Sequence, residues 1–244
     1  MTETYELYYW PILPGRGEFV RLVLEEAGAP YVDVARLPDN EGGGFKPLLE
    51  FVQGERPGQP AYAPPILVHG DLVLAQSAAI CAYIGERHGL APEEAGERTQ
   101  ALQLQLTVAD VTDEAHNTHH PINAGLYYED QKEAAREASQ HFLEQRLPRF
   151  LGYFERVLGR SGGEWLMGDR LTYPDLSLFQ LVEGLAYAFP KGFAPIVEST
   201  PLLLTLRDRV AKRPHIAAYL ASDRRLGFNE HGVFRNYPEL DLSD

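Results

Sequence analysis

The residues that could do chemistry lie where strand-like segments lead into helical ones. Gln76 and Ser77 follow an apolar segment and open a helical pattern that runs to Ile84. Free backbone N–H groups and the helix dipole attract an anion at such a helix start. Ser77 is also a residue type typical of an N-cap, and both roles can hold at once. The junction therefore predicts a helix start that binds an anionic group.

Two adjacent tyrosines, Tyr8 and Tyr9, stand at the end of a short aromatic-rich run that favours a strand. A tyrosine hydroxyl can donate a hydrogen bond and stays protonated at neutral pH. Because side chains alternate along a strand, the two rings face opposite ways, so only one can serve a given cleft. On residue type alone, Tyr9 is better explained as an aromatic core residue of the strand.

The segment after these tyrosines, residues 15–20, reads Gly-Arg-Gly-Glu-Phe-Val and resembles part of a dinucleotide-binding fingerprint. Asp33 even lies near the distance expected for the ribose-binding acid. However, Val20 replaces the third glycine, and Pro11 and Pro14 do not suit a tight strand-to-helix turn. Too few strands follow to complete that fold, and we reject a dinucleotide site.

His116, His119 and His120 have helical spacing, which raises the question of a metal. No carboxylate–histidine pattern typical of a metal site surrounds them and Pro121 follows directly, so we interpret them as a polar helix end and expect no metal. Cys81 lies within an apolar helix, and we expect a buried structural thiol. As the single cysteine it excludes an intrachain disulfide and fits a reducing compartment.

The composition limits which classes of protein this chain can belong to. The chain has 244 residues, 44% of them hydrophobic, and a formal net charge of −13. Such acidity argues against nucleic acid and anionic membranes as partners. No apolar run approaches the length of a membrane span, and the first residues lack the pattern of a signal peptide. We expect a soluble, cytoplasmic protein.

The predicted elements divide the chain into two regions with different patterns. Residues 1–90 predict strand, helix, strand, an irregular Gly- and Pro-rich segment, a hairpin and a helix, which indicates a mixed sheet with helices packed on it. In residues 91–244 the strand signals stop and helical periodicity takes over. The predicted strands and hairpin arms cover 5–10, 31–35, 65–68 and 72–74; the predicted helices cover 18–27, 76–84, 98–117, 129–158, 174–185 and 201–209, with a helical turn at 47–52.

Several short motifs together resemble a known family. They are residues 9–11 (Tyr-Trp-Pro), 15–21, 64–67, 69–72, 76–80, 168–169 and 172–175. In this order they are similar to the cytosolic glutathione transferases that use a tyrosine, of the alpha, mu, pi and sigma classes. The resemblance implies a thioredoxin-like N-terminal domain over 1–90 and an all-helical domain over 91–244. It also implies a homodimer that conjugates glutathione, as co-substrate, to small hydrophobic electrophiles in detoxification.

The resemblance assigns the catalytic tyrosine. It implies that Tyr9 donates a hydrogen bond to the glutathione sulfur and favours the thiolate. The loop after it is one residue longer than in the family, at Leu13 and Pro14, which leaves Tyr8 as an alternative. We favour Tyr9, because Trp10 follows it as an aromatic follows the family's tyrosine.

The resemblance also implies the glutathione-binding residues. Gln76 and Ser77 bind the γ-glutamyl carboxylate, and Pro65 matches a cis-proline whose preceding residue pairs with the cysteinyl backbone. That preceding residue is Pro64, which lacks an N–H group, so we expect weaker or altered glutathione binding. Arg16 contacts a carboxylate or fixes the helix start.

More distant residues complete the implied site. Arg56 or Lys46 is the partner of the glycyl carboxylate, and Asp110 reaches across a dimer interface or is an ordinary solvated charge. Tyr128 is a wall of the second-substrate pocket, and the tail after Leu226 covers that pocket or is a disordered end. Two other functions stay open: glutathione-dependent peroxidase or isomerase activity, and a non-catalytic module that binds ligands or partners.

Overall fold

The computed structural model describes residues 4–242. A four-stranded sheet is formed by β1 (Tyr5–Tyr8), β2 (Tyr31–Asp33), β3 (Ile66–His69) and β4 (Leu72–Ala75), in the order β2-β1-β3-β4. β1 is parallel to β2, whereas β3 is antiparallel to both β1 and β4. The predicted mixed sheet with a C-terminal hairpin is therefore confirmed.

Three helices belong to the sheet region: α1 (Gly17–Glu26), α2 (Lys46–Val52) and α3 (Ser77–Arg87). Gly28 has a positive φ of 59°, and its N–H donates to Glu25 just past the end of α1, as expected of a C-terminal glycine. The predicted second strand is shorter than expected, because Val34–Arg36 turns into a 3₁₀ helix.

The main elements in the rest of the described chain are helices. It contains α4 (Ala95–Asn117), α5 (Lys132–His141), α6 (Leu147–Ser161), α7 (Tyr173–Ala188), α8 (Pro190–Val197), α9 (Pro201–Ala211) and α10 (Pro214–Leu220). A π-helical stretch over Phe142–Arg146 joins α5 to α6, so the predicted helix 129–158 is nearly continuous from Lys132. The sequence missed α8 and α10, which are short and begin with proline. Within residues 4–242, no helix combines the length and apolar character needed to cross a bilayer.

Two clusters of buried apolar side chains lie on the two faces of the sheet. The larger cluster joins the sheet, α1 and α3 to the helical region, with Leu7 and Phe179 among its members. A smaller cluster lies on the other face of the sheet and contains Tyr8, Leu48 and Phe51. Thr172 begins α7 in the predicted capping box, because Asp175 accepts hydrogen bonds from its N–H and its hydroxyl at 2.8 and 2.7 Å.

Candidate active site

Tyr9 directly follows β1 and is held against the start of α1. Its side chain is only 4% exposed, and its hydroxyl accepts the backbone N–H of Arg16 at 2.8 Å. A Cβ atom at Gly15 would lie 2.2 Å from that hydroxyl, and one at Gly17 would lie 2.5 Å from the ring. Both glycines therefore leave room for Tyr9, and Gly15 also adopts a positive φ of 43°.

The surroundings keep the Tyr9 hydroxyl protonated. Burial raises the pKa of Tyr9, and the backbone N–H groups and charges near it oppose this only in part. Those opposing groups are the N–H groups of Arg16 and Gly17 and the charges of Arg16 and Arg21. Since the oxygen accepts the Arg16 N–H, its own hydrogen is left to donate to a further acceptor.

A cavity of about 220 Å³ opens beside Tyr9. The loop after β1, the end of α4 and the C-terminal tail line it, and Asn229 in the tail donates to the carbonyl of Ile12 at 2.9 Å. The open space is adjacent to a phenol and large enough for a small organic group. It is lined by Tyr9, Trp10, Leu13, Arg16, His116, His231, Gly232 and Val233.

Tyr8 faces the other side of the sheet, as strand alternation predicts. Its hydroxyl donates to Glu6 at 2.6 Å, and its ring meets Phe51 edge-on in the smaller core cluster. Burial and the Glu6 carboxylate raise the pKa of Tyr8. The Tyr8 hydroxyl is thus committed to Glu6, on the face away from α1.

The start of α3 offers its backbone N–H groups to a second, smaller cavity of about 60 Å³. Gln76 adopts an unusual φ of 73°, Ser77 is the first helical residue, and no described side chain caps this helix. Gln76 and Ser77 both line the cavity, together with Arg16, Phe19, Gln105, Val108, Ala109, Thr112 and Asp113. The predicted anion-binding helix start therefore faces an accessible space.

Two residues of this cavity were missed by the sequence analysis. Gln105 is 2% exposed, and its Oε1 atom has no hydrogen-bond partner within the described part of the chain. Asp113 forms an ion pair with Arg16. A usable signal existed, because Gln105, Ala109 and Thr112 recur at helical spacing and mark one face of α4.

The Pro64–Pro65 peptide bond is cis, which confirms the prediction for Pro65. Pro65 is buried and immediately precedes β3, whose first residue, Ile66, pairs with Tyr8. The backbone of Pro64 therefore lies beside the end of β1, near the start of the loop that follows Tyr9.

The remaining predicted residues lie further out. Arg56 pairs with Glu50 at 2.8 Å and lies over the ring of Phe51, so it is bound to α2, and Lys46 is exposed at the first position of that helix. Asp110 is exposed on α4 and lines neither cavity described above.

Tyr128 lines a different cavity, of about 510 Å³, under the C-terminal tail. It is 4% exposed, donates to Glu239 at 3.1 Å and stacks on Tyr237 with ring centroids 4.2 Å apart. His231 lines both this cavity and the one beside Tyr9. His231 in the tail therefore lies at the border of both spaces.

Cys81 is fully buried in α3, and burial raises the pKa of its thiol to about 12. A thiol that stays protonated in the core is a poor nucleophile. The prediction of a structural cysteine is confirmed.

Comparisons with known proteins agree with this geometry. A model of the glutathione S-transferase N-terminal domain matches residues 5–86, and one of the glutathione S-transferase C-terminal domain matches residues 116–223. The glutathione S-transferase of Plasmodium falciparum is 27% identical over 228 residues, which cover 91% of this chain and 97% of that protein. Glutathione S-transferase P 1 of Xenopus laevis is 27% identical over 91% of this chain and 93% of its own.

Solved structures share the fold. The pi-class glutathione S-transferase of Onchocerca volvulus superposes with a TM-score of 0.67 at 22% identity, over 88% of this chain and 91% of the other. Prostaglandin synthase D of Nilaparvata lugens superposes with a TM-score of 0.69 at 19% identity, over 92% and 100%. A thioredoxin-like domain followed by a helical domain is therefore the architecture of this chain.

Proposed function

Because this chain belongs to the glutathione S-transferase family, we propose that it conjugates the thiolate of glutathione to small hydrophobic electrophiles. The buried hydroxyl of Tyr9 is the observation that supports this most directly. It is a protonated donor beside a cavity, and Arg16 and the two glycines around it fix its position.

Tyr9 supplies the activation of the thiol. A free thiol has a pKa of about 8.5, so most glutathione is protonated at neutral pH. A charge-assisted hydrogen bond from Tyr9 contributes about 1.5–3 kcal/mol to the thiolate, which corresponds to roughly one to two pKa units. The thiol proton leaves to solvent, the sulfur forms a bond to the electrophilic carbon, and the leaving group departs with its electron pair.

Residues around the start of α3 hold the peptide. The γ-glutamyl carboxylate binds the N–H groups at Gln76 and Ser77, and the unpartnered oxygen of Gln105 accepts from the γ-glutamyl ammonium. The carbonyl of Pro64 accepts from the cysteinyl N–H but offers no donor in return. Arg16 adds a positive charge at the edge of both cavities.

Outer residues have roles that depend on assembly and on loop position. Arg56 or Lys46 binds the glycyl carboxylate, and the exposed carboxylate of Asp110 reaches the site of a second copy in a homodimer. The electrophile binds in the cavity beside Tyr9, and Tyr128 forms the wall of the space that continues under the tail. Cytoplasmic location and a role in detoxification complete the proposal.

The test is retention on immobilised glutathione followed by turnover of a chromogenic aryl halide. The same enzyme is then tested on a hydroperoxide and on an isomerisable unsaturated ketone. Conjugation faster than the uncatalysed reaction supports the proposal. Activity confined to the hydroperoxide or ketone would replace it with a peroxidase or isomerase, and binding without turnover on any substrate would replace it with a non-catalytic module.

A further inference from the structure

The histidines at the end of α4 converge into one cluster. His116 is in the last turn of the helix, and His119 and His120 follow it, and one ring nitrogen of each lies within 4.8 Å of the others. The rings of His116 and His120 are stacked with centroids 5.0 Å apart, and that of His119 meets both edge-on. His119 is 1% exposed and His120 9%, so these residues do not form the solvated polar helix end that the sequence favoured.

The hydrogen bonds of the cluster fix which nitrogens are available. Nε2 of His119 lies 2.9 Å from the carbonyl oxygen of Val233, so it carries the hydrogen and donates it. Nδ1 of His119 is then an unprotonated acceptor, and it accepts the N–H of His120 Nδ1 at 2.5 Å, which leaves Nε2 of His120 without a hydrogen. A histidine that donates one N–H to a backbone carbonyl and turns its other nitrogen inward is the arrangement by which proteins orient metal ligands.

We propose that His116, His119 and His120 bind a divalent cation of the zinc class, with a fourth coordination position left open. Imidazole is a preferred ligand of zinc, and three histidines with an open position form a known type of zinc centre. Nitrogens bound to a tetrahedral zinc at about 2.05 Å lie about 3.4 Å apart. One nitrogen of each ring lies within 4.8 Å of the others, so His116 and His120 must turn toward Nδ1 of His119 to reach that spacing.

An ion can reach the cluster from two sides. His116 lines the cavity beside Tyr9, and His120 lines the cavity that holds Tyr128.

The positive charges of Arg16 and Arg235 also act on these imidazoles and oppose a cation. Removal of the Arg235 charge should therefore strengthen binding, an effect that a purely structural histidine cluster does not predict.

The test uses the untagged full chain, stripped with a chelator and free of glutathione, which itself binds metals. Zn²⁺ alone is titrated by calorimetry, and Co²⁺ alone is followed by its visible absorption, which intensifies in tetrahedral sites. We expect one ion per chain and an intense Co²⁺ band. His116→Ala and His120→Ala should each lower the affinity at least ten-fold, and Arg235→Gln should raise it several-fold.

The matched control is His141→Ala, because His141 is exposed on α5 outside the cluster. It should leave affinity and spectrum unchanged, and His116→Gln provides a second cluster variant should His116→Ala unfold, as judged by circular dichroism. The proposal fails if the wild-type chain binds neither ion, or if His141→Ala weakens binding as much as the cluster variants. No measurement depends on conjugation, so the result is independent of the proposed function.

Discussion

Removal of one oxygen, in Tyr9→Phe, tests the proposed chemistry most directly. The phenylalanine ring retains the contacts with the glycines that surround Tyr9, whereas the hydrogen bond to sulfur is lost. If that bond is worth about 2.7 kcal/mol, the pKa of the bound thiol rises by about two units, from about 6.5 to about 8.5. At pH 7 the ionised fraction then falls from about three quarters to about 3%, a loss of about 25-fold.

The assay is kcat/KM for conjugation between pH 5.5 and 9.5, together with the ultraviolet absorbance of the thiolate in the complex with glutathione. The ascending limb of the profile should move up by about two pH units in Tyr9→Phe, so the two enzymes converge at high pH. A defect that stayed constant at all pH values would point instead to misplacement of the substrate.

Tyr8→Phe is the matched control, because it removes the same atom from the neighbouring residue. Its hydroxyl donates to Glu6 on the opposite face of the sheet, so its loss should leave the thiol pKa unchanged. The reasoning is refuted if Tyr9→Phe retains the wild-type profile, or if Tyr8→Phe shifts the profile as far. Unfolding in denaturant, measured in parallel, shows how much stability Tyr9→Phe loses because the Arg16 N–H no longer has its acceptor. That loss is then kept apart from the loss of thiol activation.

Three further changes have defined outcomes. Pro64→Leu restores a backbone N–H beside the site and should tighten glutathione binding by about 2- to 13-fold in calorimetry, since a net hydrogen bond is worth about 0.5–1.5 kcal/mol. Gly17→Ala places a Cβ 2.5 Å from the ring of Tyr9 and should lower kcat by up to about 100-fold, whereas Gly159→Ala in α6, with only ordinary contacts, should not. Burial raises the pKa of Asp175 from 3.8 to about 6, so the native state binds this proton more tightly than the unfolded chain. The contribution of Asp175 to the free energy of unfolding is therefore present below pH 4 and lost as pH rises through 6. This contribution amounts to about 3 kcal/mol. The difference in the free energy of urea unfolding between the wild-type chain and Asp175→Asn should therefore decrease by that amount as pH rises through 6.

The sequence predicted the mixed sheet and the order of its elements along the chain because local patterns encode those features. Gly28 ends α1, and the turn between β3 and β4 fixes a hairpin. The Thr172 and Asp175 pair likewise marks the start of α7 with its own hydrogen bonds. By contrast α8 and α10 span only eight and seven residues. A helix this short gains most of its stability from tertiary packing, and no local period reveals it.

A buried ion network near the site shows why some of the contacts there could not be predicted from the sequence. Glu18 and Arg21 are both fully buried, and Arg21 donates to Asp33 at 2.7 Å. Tyr219, about two hundred residues further along the chain, donates to Glu18 at 2.7 Å. Glu18 and Arg21 share a helical i,i+3 spacing, whereas Tyr219 reaches Glu18 only once the helical region has packed against α1. The sequence therefore predicted Tyr9 from its neighbours. It did not predict that the assembled fold would position the Arg21 charge, which opposes the effect of burial on the pKa of Tyr9.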